Sequence, residues 1–109
     1  MANSRIVNTP SQAIPQSGTT HQQITVGNTA AKLSASHALS AGTTHVLLQF
    51  NGATARVTFD KVTDPTATKG FRYVTGTNAY LTKIMYESAT CIREASTDVV
   101  VEVQELNFI

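Results

Sequence analysis

The chain has 109 residues, enough for one compact domain, and only 14% of them are charged, against roughly one quarter in typical soluble domains. Thr is abundant, with 17 residues, so much of the surface must be hydroxyl, amide and small apolar groups, a composition that favours packing against other proteins. The formal net charge is +1 and the eight basic residues are scattered, which argues against nucleic acid or an anionic membrane as a partner.

Residues 1–22 are predicted to form an extended N-terminal arm. The segment contains two prolines, which favour extended backbone at the residues before them, and few large apolar side chains. We expect Ile6, Val7 and Ile14 to anchor this arm against a neighbouring subunit; a disordered tail is the alternative. Residues 23–109 are then expected to form the folded domain.

From Gln23 onward the hydrophobic pattern alternates with a period of two, which is typical of β-strands. The clearest predicted strands are "THVLLQFN", with Val46, Leu48 and Phe50 on one face, and "ATARVTFD", with Ala55, Val57 and Phe59 on one face. Further predicted strands are Gln23–Val26, Ala30–Ser34, Gly70–Thr75, Tyr80–Ile84, Thr90–Glu94 and Val99–Leu106, and Met85–Ala89 is the only stretch where the pattern tolerates a helical turn.

The dipeptide Asn51-Gly52 lies between the two clearest strands and predicts a tight hairpin, because Gly readily adopts the positive φ that such a turn requires. In the last strand Val99, Val101 and Val103 share one face, and Val100 suggests that the other face is partly covered. Many short strands separated by turns predict an all-β fold, either an antiparallel β-sandwich or a jelly-roll-like barrel.

A polar loop, "DKVTDPTATKG", follows the second of these strands. The carboxylates of Asp60 and Asp64 are expected to cap turns by accepting backbone N–H bonds; a calcium site is the alternative. A protruding connection of this kind also fits contact with a neighbouring protein. The residues predicted to make that contact are Asp60, Asp64, Pro65, Thr66, Thr68 and Lys69.

The sequence predicts no catalytic residue, no metal site and no cofactor. The three histidines, His21, His37 and His45, lie in separate segments without the spacing of a metal motif, and no activated nucleophile is recognisable. Glu87, Glu94, Glu102 and Glu105 are available to pair for glycoside hydrolysis, but the chain lacks the size and aromatic content of a substrate cleft. Tyr73, Tyr80 and Tyr86 are the candidates for stacking on a sugar, or else they bridge core and surface.

The single cysteine, Cys91, excludes an intrachain disulfide, and we expect it to be a small buried hydrophobic residue. No apolar run approaches the roughly 20 residues of a membrane helix, and the N-terminus lacks the apolar core of a secretory signal. We therefore expect the protein to remain in the compartment where it is made, unless it leaves as part of a larger particle.

Three stretches, "ITVGNTAAKLSAS", "HVLLQFNGATARVTFDKVTDPTATKGFRY" and "NAYLTKIMYESATCIREASTDVVVEVQEL", resemble small virion structural modules of tailed bacteriophages. Those modules often contain the pattern "FRxDGTxPTATxGH". The matching residues are Phe59, Asp60, Asp64, Pro65, Thr66, Ala67, Thr68 and Gly70. The pattern differs at Lys61 and Val62, which replace a Gly-Thr link, and at Phe71, where His is common.

The resemblance implies a β-sandwich that serves as a non-enzymatic component of the virion. For a chain of this size it implies a capsid decoration or cement protein, made in the host cytoplasm and located on the capsid surface. The major capsid protein would be its partner, contacted by the arm and the loop, and a homo-oligomer, dimer or trimer, is expected. A tail or head-fibre module that binds a receptor or glycan is the alternative.

Overall fold

The computed structural model describes residues 13–108, which form two antiparallel β-sheets packed into a sandwich. This confirms the predicted all-β class. The strands are β1 (Ala13–Pro15), β2 (His21–Val26), β3 (Ala31–Lys32), β4 (His45–Asn51), β5 (Ala55–Thr58), β6 (Phe71–Tyr73), β7 (Asn78–Thr82), β8 (Thr90–Arg93) and β9 (Val99–Phe108), and the helices are α1 (Leu33–Ser36) and α2 (Lys83–Ser88). Within these residues no helix is long and apolar enough to cross a membrane.

The first sheet is built around β9, the longest strand. On one side of β9, β2 pairs with Val99 to Gln104 and β1 pairs with Leu106 to Phe108, so these two strands follow each other along the same edge. On the other side β9 pairs with β4, which in turn pairs with β7. The second sheet has the order β3-β8-β5-β6.

The core lies between the two sheets and follows the predicted alternation. Val46, Leu48 and Phe50 of β4 are buried, and so are Val99, Val101 and Val103 of β9. From the second sheet, Ala55 and Val57 are buried and Phe59 packs against the core from its margin. Cys91 is fully buried, as expected for a small hydrophobic residue, and burial raises the pKa of its thiol to about 12.

The predicted hairpin at Asn51-Gly52 is wrong, although both flanking strands exist. β4 belongs to the first sheet and β5 to the second, and the two do not pair. Gly52 has the expected positive φ of 81°, and a Cβ there would lie 3.3 Å from the carbonyl oxygen of Asp98. The turn therefore carries the chain from one sheet to the other, with the apolar side chains of both strands still facing the shared core.

Two further elements differ from the prediction. The predicted strand Ala30–Ser34 is only two residues long, because the chain enters the short helix α1 at Leu33. A helix does form in the region where a helical turn was tolerated, Met85–Ala89, but it begins earlier, at Lys83, because the Thr82 hydroxyl accepts a hydrogen bond from the Met85 N–H and caps the helix.

The boundary predicted after Gln22 falls inside β2, and from Ala13 onward the described chain is already paired with β9. In β1, Ile14 lies opposite Asn107 and is about half exposed. The other two predicted anchors, Ile6 and Val7, lie outside the described residues, so the arm remains a prediction for residues 1–12.

Candidate functional site

The loop between β5 and β6, residues 60–70, is held in shape at its start by Asp60. Its Oδ1 accepts hydrogen bonds from the N–H groups of Val62, at 3.0 Å, and Thr63, at 2.8 Å, and its Oδ2 accepts one from the Thr63 hydroxyl at 2.7 Å. These bonds, led by the one from the Thr63 hydroxyl, lower the pKa of Asp60 to about 2. The capping role predicted for Asp60 is therefore confirmed.

Asp64 does not share that role. Its side chain is exposed and makes no hydrogen bond within residues 13–108. The described part of the chain also contains no group of three or more His, Cys, Asp or Glu side chains that could hold a metal ion. Because the oxygens of Asp60 already accept bonds from the loop itself, they are poorly placed to bind calcium as well.

The second half of the loop folds over a buried proline. Pro65 is fully buried, and the backbones of Thr66 and Lys69 exchange two hydrogen bonds, of 3.0 and 3.2 Å, that close a tight turn. Gly70 follows with a φ of 119°, and a Cβ at this position would lie 3.1 Å from the backbone nitrogen and oxygen of Val57. Only glycine fits here without displacing β5.

Both ends of the loop are also tied to neighbouring elements. Near its start, the Lys61 carbonyl accepts a hydrogen bond from the Lys32 ammonium at 2.8 Å. At its end, the Gly70 carbonyl accepts one from Arg56 at 3.1 Å, and the Arg56 Nε donates to Glu94 at 2.9 Å. The loop is thus a fixed protrusion of the second sheet.

The tip of the loop presents uncharged and basic side chains to solvent. Thr66, Thr68 and Lys69, which the sequence analysis selected, are all exposed. Pro65, selected with them, is instead buried under the loop, so it shapes the exposed tip without belonging to it. Val62 was missed, although it is 85% exposed and thus the most exposed large hydrophobic side chain of the described chain.

A concave surface lies on the outer face of the first sheet. It is a groove of about 350 Å³ lined mainly by His21, Leu47, Gln49, Asn78, Glu102 and Gln104. Its polar groups are largely engaged with one another. His21 contacts Glu102 at 2.7 Å and Gln104 at 3.3 Å, and Gln49 donates to Asn78 at 3.0 Å.

The hydrogen bond between His21 and Glu102 shifts the pKa of both side chains. The hydrogen bond to Glu102 raises the pKa of His21, and the same bond, together with one from Gln23, lowers the pKa of Glu102. The Gln104 amide donates to the Glu105 carbonyl at 3.0 Å, which leaves its oxygen facing the second ring nitrogen of His21. Both nitrogens of His21 therefore face acceptors, an arrangement that favours the protonated ring.

The three tyrosines considered for sugar stacking are not displayed together. Tyr86 is fully buried, and its hydroxyl donates to the backbone carbonyl of His37 at 2.7 Å, with the Leu33 carbonyl oxygen 3.1 Å away. Tyr73 stacks on Phe50 of the core, with ring centroids 4.6 Å apart. Tyr80 stacks on His45 at 5.1 Å on the outer face of the first sheet. Tyr73 and Tyr80 thus already use one ring face within the protein, while Tyr86 is enclosed.

A buried polar cluster, which the sequence analysis missed, surrounds Glu105 at one end of the sandwich. Glu105 is fully buried, and its carboxylate accepts hydrogen bonds from the Ser40 N–H at 2.8 Å, the Thr43 hydroxyl at 2.7 Å and the His37 Nε2 at 2.8 Å. Burial alone would raise the pKa of Glu105, but these bonds outweigh it and lower the pKa. Glu105 follows Val101 and Val103 in β9 at intervals of two residues, so its side chain points into the core as theirs do. This alternation is visible in the sequence.

Comparison of the chain with known protein families, with curated proteins and with solved structures yields no match.

Proposed function

We propose that this chain is a non-enzymatic structural protein of a tailed-bacteriophage virion, and in particular a capsid decoration or cement protein that binds the outer surface of the coat-protein shell. The observation that carries the proposal is the 60–70 loop, which its own hydrogen bonds hold in one conformation while its tip remains exposed. A preorganised loop loses little conformational entropy when it binds, so modest contacts with a coat subunit are sufficient.

The resemblance to phage modules gains support from the backbone of the loop. Lys61 stands where those modules have Gly, and it is the one non-glycine residue of the described chain with a positive φ, 69°. That conformation favours glycine. The shared Pro65 and Gly70 are likewise the residues that the packing of the loop requires, since one is buried beneath it and the other lies against β5.

The mechanism we propose is thermodynamic linkage. A protein that binds the assembled lattice and not free coat subunits stabilises the lattice by RT ln(1 + [L]/Kd), which is a few kcal/mol per site when its concentration exceeds Kd by roughly 100- to 1,000-fold. The same contact repeated over a shell makes the total large. The low charge content reduces the desolvation penalty of covering such a surface.

The direct test is co-sedimentation of the purified protein with shells of its source virus that lack it. We expect saturable retention and a rise in the temperature at which the shells dissociate. Thr68→Arg places a long charged side chain on the loop tip and should reduce retention at least tenfold. Thr97→Arg is the matched control, because Thr97 is an exposed threonine of the β8–β9 connection, and it should bind as the unsubstituted protein does.

Two results would contradict the proposal, and a third would show that the variant is unsuitable as a test. If the protein were not retained on the shells, the proposed cement function would be wrong. If both variants lost retention equally, the loop would not be the part of the protein that contacts the coat. Loss of retention accompanied by a matching fall in the melting temperature of Thr68→Arg would mean that the variant had unfolded. Thr68 contributes only its backbone N–H to a hydrogen bond, with the Thr66 hydroxyl, so we expect both variants to melt close to the unsubstituted protein.

The predicted arm is tested by deletion of residues 1–12, which leaves β1 and its pairing with β9 in place. On the cement hypothesis this deletion weakens binding to the shell more than it lowers the melting temperature of the isolated protein. Equal losses of both would show that these residues act in the stability of the domain and not in attachment.

A receptor- or glycan-binding module is the second candidate, and the groove on the first sheet is the observation that favours it. Gln49, Asn78 and Gln104 supply amide groups and Leu47 supplies an apolar surface, a combination suited to a neutral sugar. A glycan-binding screen distinguishes this candidate. A saturable sugar signal that Gln49→Ala abolishes, without retention on shells, would favour it over the cement function.

A further inference from the structure

The first sheet of the sandwich has an open edge at β7. Within residues 13–108, β7 pairs with β4 on one side and with no strand on the other. The strand, Asn78–Thr82, has no charged residue and no proline. Natural proteins usually protect open edges with charges, prolines or bulges, because free backbone groups recruit other strands.

The free backbone groups of β7 can be assigned from the pairing. At one end the Phe50 N–H donates to the Thr77 carbonyl at 3.0 Å, and at the other the Lys83 N–H donates to the Thr44 carbonyl at 2.9 Å. Hydrogen bonds alternate along an antiparallel pair, so Ala79 and Leu81 also bond to β4. Asn78, Tyr80 and Thr82 therefore direct their backbone groups away from β4. The Thr82 carbonyl is an exception, because it is available to the first turn of α2.

The free backbone groups of β7 are complementary to those of a second, antiparallel copy of the same strand. If two copies of β7 run antiparallel about a twofold axis at Tyr80, each Tyr80 exchanges backbone hydrogen bonds with its counterpart, and each Thr82 N–H meets the Asn78 carbonyl of the other copy. About four hydrogen bonds form, and the sheet continues across the axis. No formal charges face each other, because Lys83 of one copy then lies at the opposite end of the strand from Lys83 of the other.

The flanks of β7 add apolar surface to this edge. Val74, in the turn before the strand, is 45% exposed, and Ile84 and Met85, directly after it in α2, are 73% and 41% exposed. Antiparallel pairing about Tyr80 places Val74 of one copy beside the start of α2 in the other. The opposite edge of the first sheet, formed by β2 and β1, is flanked by polar connections that include Gly18 and Asn28. Its comparable apolar side chain is Ile14, 45% exposed, but it is followed in β1 by Pro15, which has no backbone N–H to offer another strand.

We infer that the β7 edge is an interaction surface for a second copy of this chain, and that the protein forms a twofold dimer in which the first sheets of both copies join through β7. The interface is small, so we expect a weak dimer with a dissociation constant on the order of 100 μM. A closed twofold contact of this kind gives a dimer and not a trimer. The inference rests on the edge itself and holds whether or not the protein decorates a capsid.

The first test is sedimentation equilibrium of the full chain from about 20 μM to 1 mM, a range chosen to span the expected dissociation constant. We expect the mean mass to rise from that of one chain towards that of two. Val74→Lys should raise the dissociation constant at least tenfold, because it places a second positive charge beside Lys83 at the start of α2 in the other copy. Val62→Lys is the matched control, since it puts the same charge on an exposed valine of the 60–70 loop, and it should leave the constant unchanged.

The second test locates the axis by crosslinking. Residues directly opposite in a hydrogen-bonded antiparallel pair have Cα atoms about 5.5 Å apart, within disulfide range. Tyr80→Cys should therefore form an interchain disulfide under mild oxidation. Gln23→Cys, in the middle of the open edge of β2, should not, and the native Cys91 is buried and should not interfere. Circular dichroism of both variants establishes that they are folded before oxidation.

A protein that stays monomeric at 1 mM would overturn the inference. So would a dimer that Gln23→Cys traps and Tyr80→Cys does not, because it would place the contact at β2. Equal weakening by Val74→Lys and Val62→Lys would overturn it as well. If the protein did not bind shells but Tyr80→Cys still formed the interchain disulfide, only the proposed function would be contradicted. The two proposals can therefore be tested separately.

Discussion

Removal of the buried carboxylate of Glu105 should destabilise the protein strongly. Glu105→Ala leaves three donors without their acceptor, the Ser40 N–H, the Thr43 hydroxyl and the His37 ring. Hydrogen bonds to a charged group contribute about 1.5–3 kcal/mol each, but the substitution also removes a buried charge and its desolvation penalty. We therefore expect a loss of about 3–5 kcal/mol, a large part of the roughly 5–15 kcal/mol typical of a domain.

The isosteric Glu105→Gln should be milder. Its carbonyl oxygen can still accept from Ser40 and Thr43, while its amide replaces the acceptor that faces His37, so we expect a loss of about 1–2 kcal/mol. Urea unfolding followed by circular dichroism measures both variants. Glu87→Ala, at an exposed glutamate of α2, is the control and should lie within about 0.5 kcal/mol of the unsubstituted protein.

The pH dependence gives a second readout on the same residue. The hydrogen bonds hold the pKa of Glu105 below its ordinary value, so the stability it contributes is present above the pKa of the unfolded state. It is lost as the pH falls through the folded-state pKa. The difference between Glu105→Gln and the unsubstituted protein should thus shrink on acidification below about pH 4.5. A loss under about 1 kcal/mol for Glu105→Ala, well below the cost expected for a buried charged group, would refute the reasoning.

Three further predictions concern other parts of the sandwich. In urea unfolding, Gly70→Ala should destabilise the protein by about 1–3 kcal/mol more than Gly76→Ala does. Both glycines have a positive φ, but only the new methyl group at position 70 would press against backbone atoms, those of Val57. Equal effects of the two substitutions would contradict the close packing of the loop. Cys91 should react with a thiol reagent only at the rate of unfolding, since its thiol is buried and has a pKa of about 12; rapid labelling of the native protein would contradict this. His21→Asn should lower the free energy of unfolding at about pH 5 and have little effect at about pH 8. The pKa of His21 is raised in the folded protein, so its protonated ring adds stability below the pKa of an unfolded His, and this stability is lost as the pH rises through the folded-state pKa. A stability loss in His21→Asn that grows with pH would contradict this.

The sequence was most informative where one face of a strand is buried. The alternation in β4 and β9 predicted which side chains form the core, because a period of two leaves no other consistent arrangement. The hairpin predicted from the Asn51-Gly52 turn signal, in contrast, was wrong. A turn signal is local, and the burial pattern of β4 and β5 is the same whether they pair with each other or face each other across the core. Only the non-local pairing of β9 with β4, and of β8 with β5, decides between them.

Short elements and buried polar residues were harder to predict. α1 has four residues, of which only Leu33 is buried, and its first residue follows Lys32 without a side-chain cap, so the sequence offers little sign of it. Glu105 was considered only as one of four glutamates available to pair for glycoside hydrolysis, and its burial was not predicted, because buried carboxylates are rare. Its register with Val101 and Val103 pointed inward, but the donors that satisfy it, His37, Ser40 and Thr43, come from a connection whose path the sequence does not show.

The two proposed contacts lie on different sheets, and this has a consequence for their coupling. The 60–70 loop follows β5 in the second sheet, whereas β7 is an edge of the first sheet. Substitutions at separate sites without shared partners act independently. Thr68→Arg should therefore reduce retention on shells while leaving the dimer dissociation constant within about twofold, less than 0.5 kcal/mol, of the unsubstituted value. If Thr68→Arg instead weakened the dimer as strongly as Val74→Lys, the loop would belong to the contact between copies, and its assignment to the coat would fail.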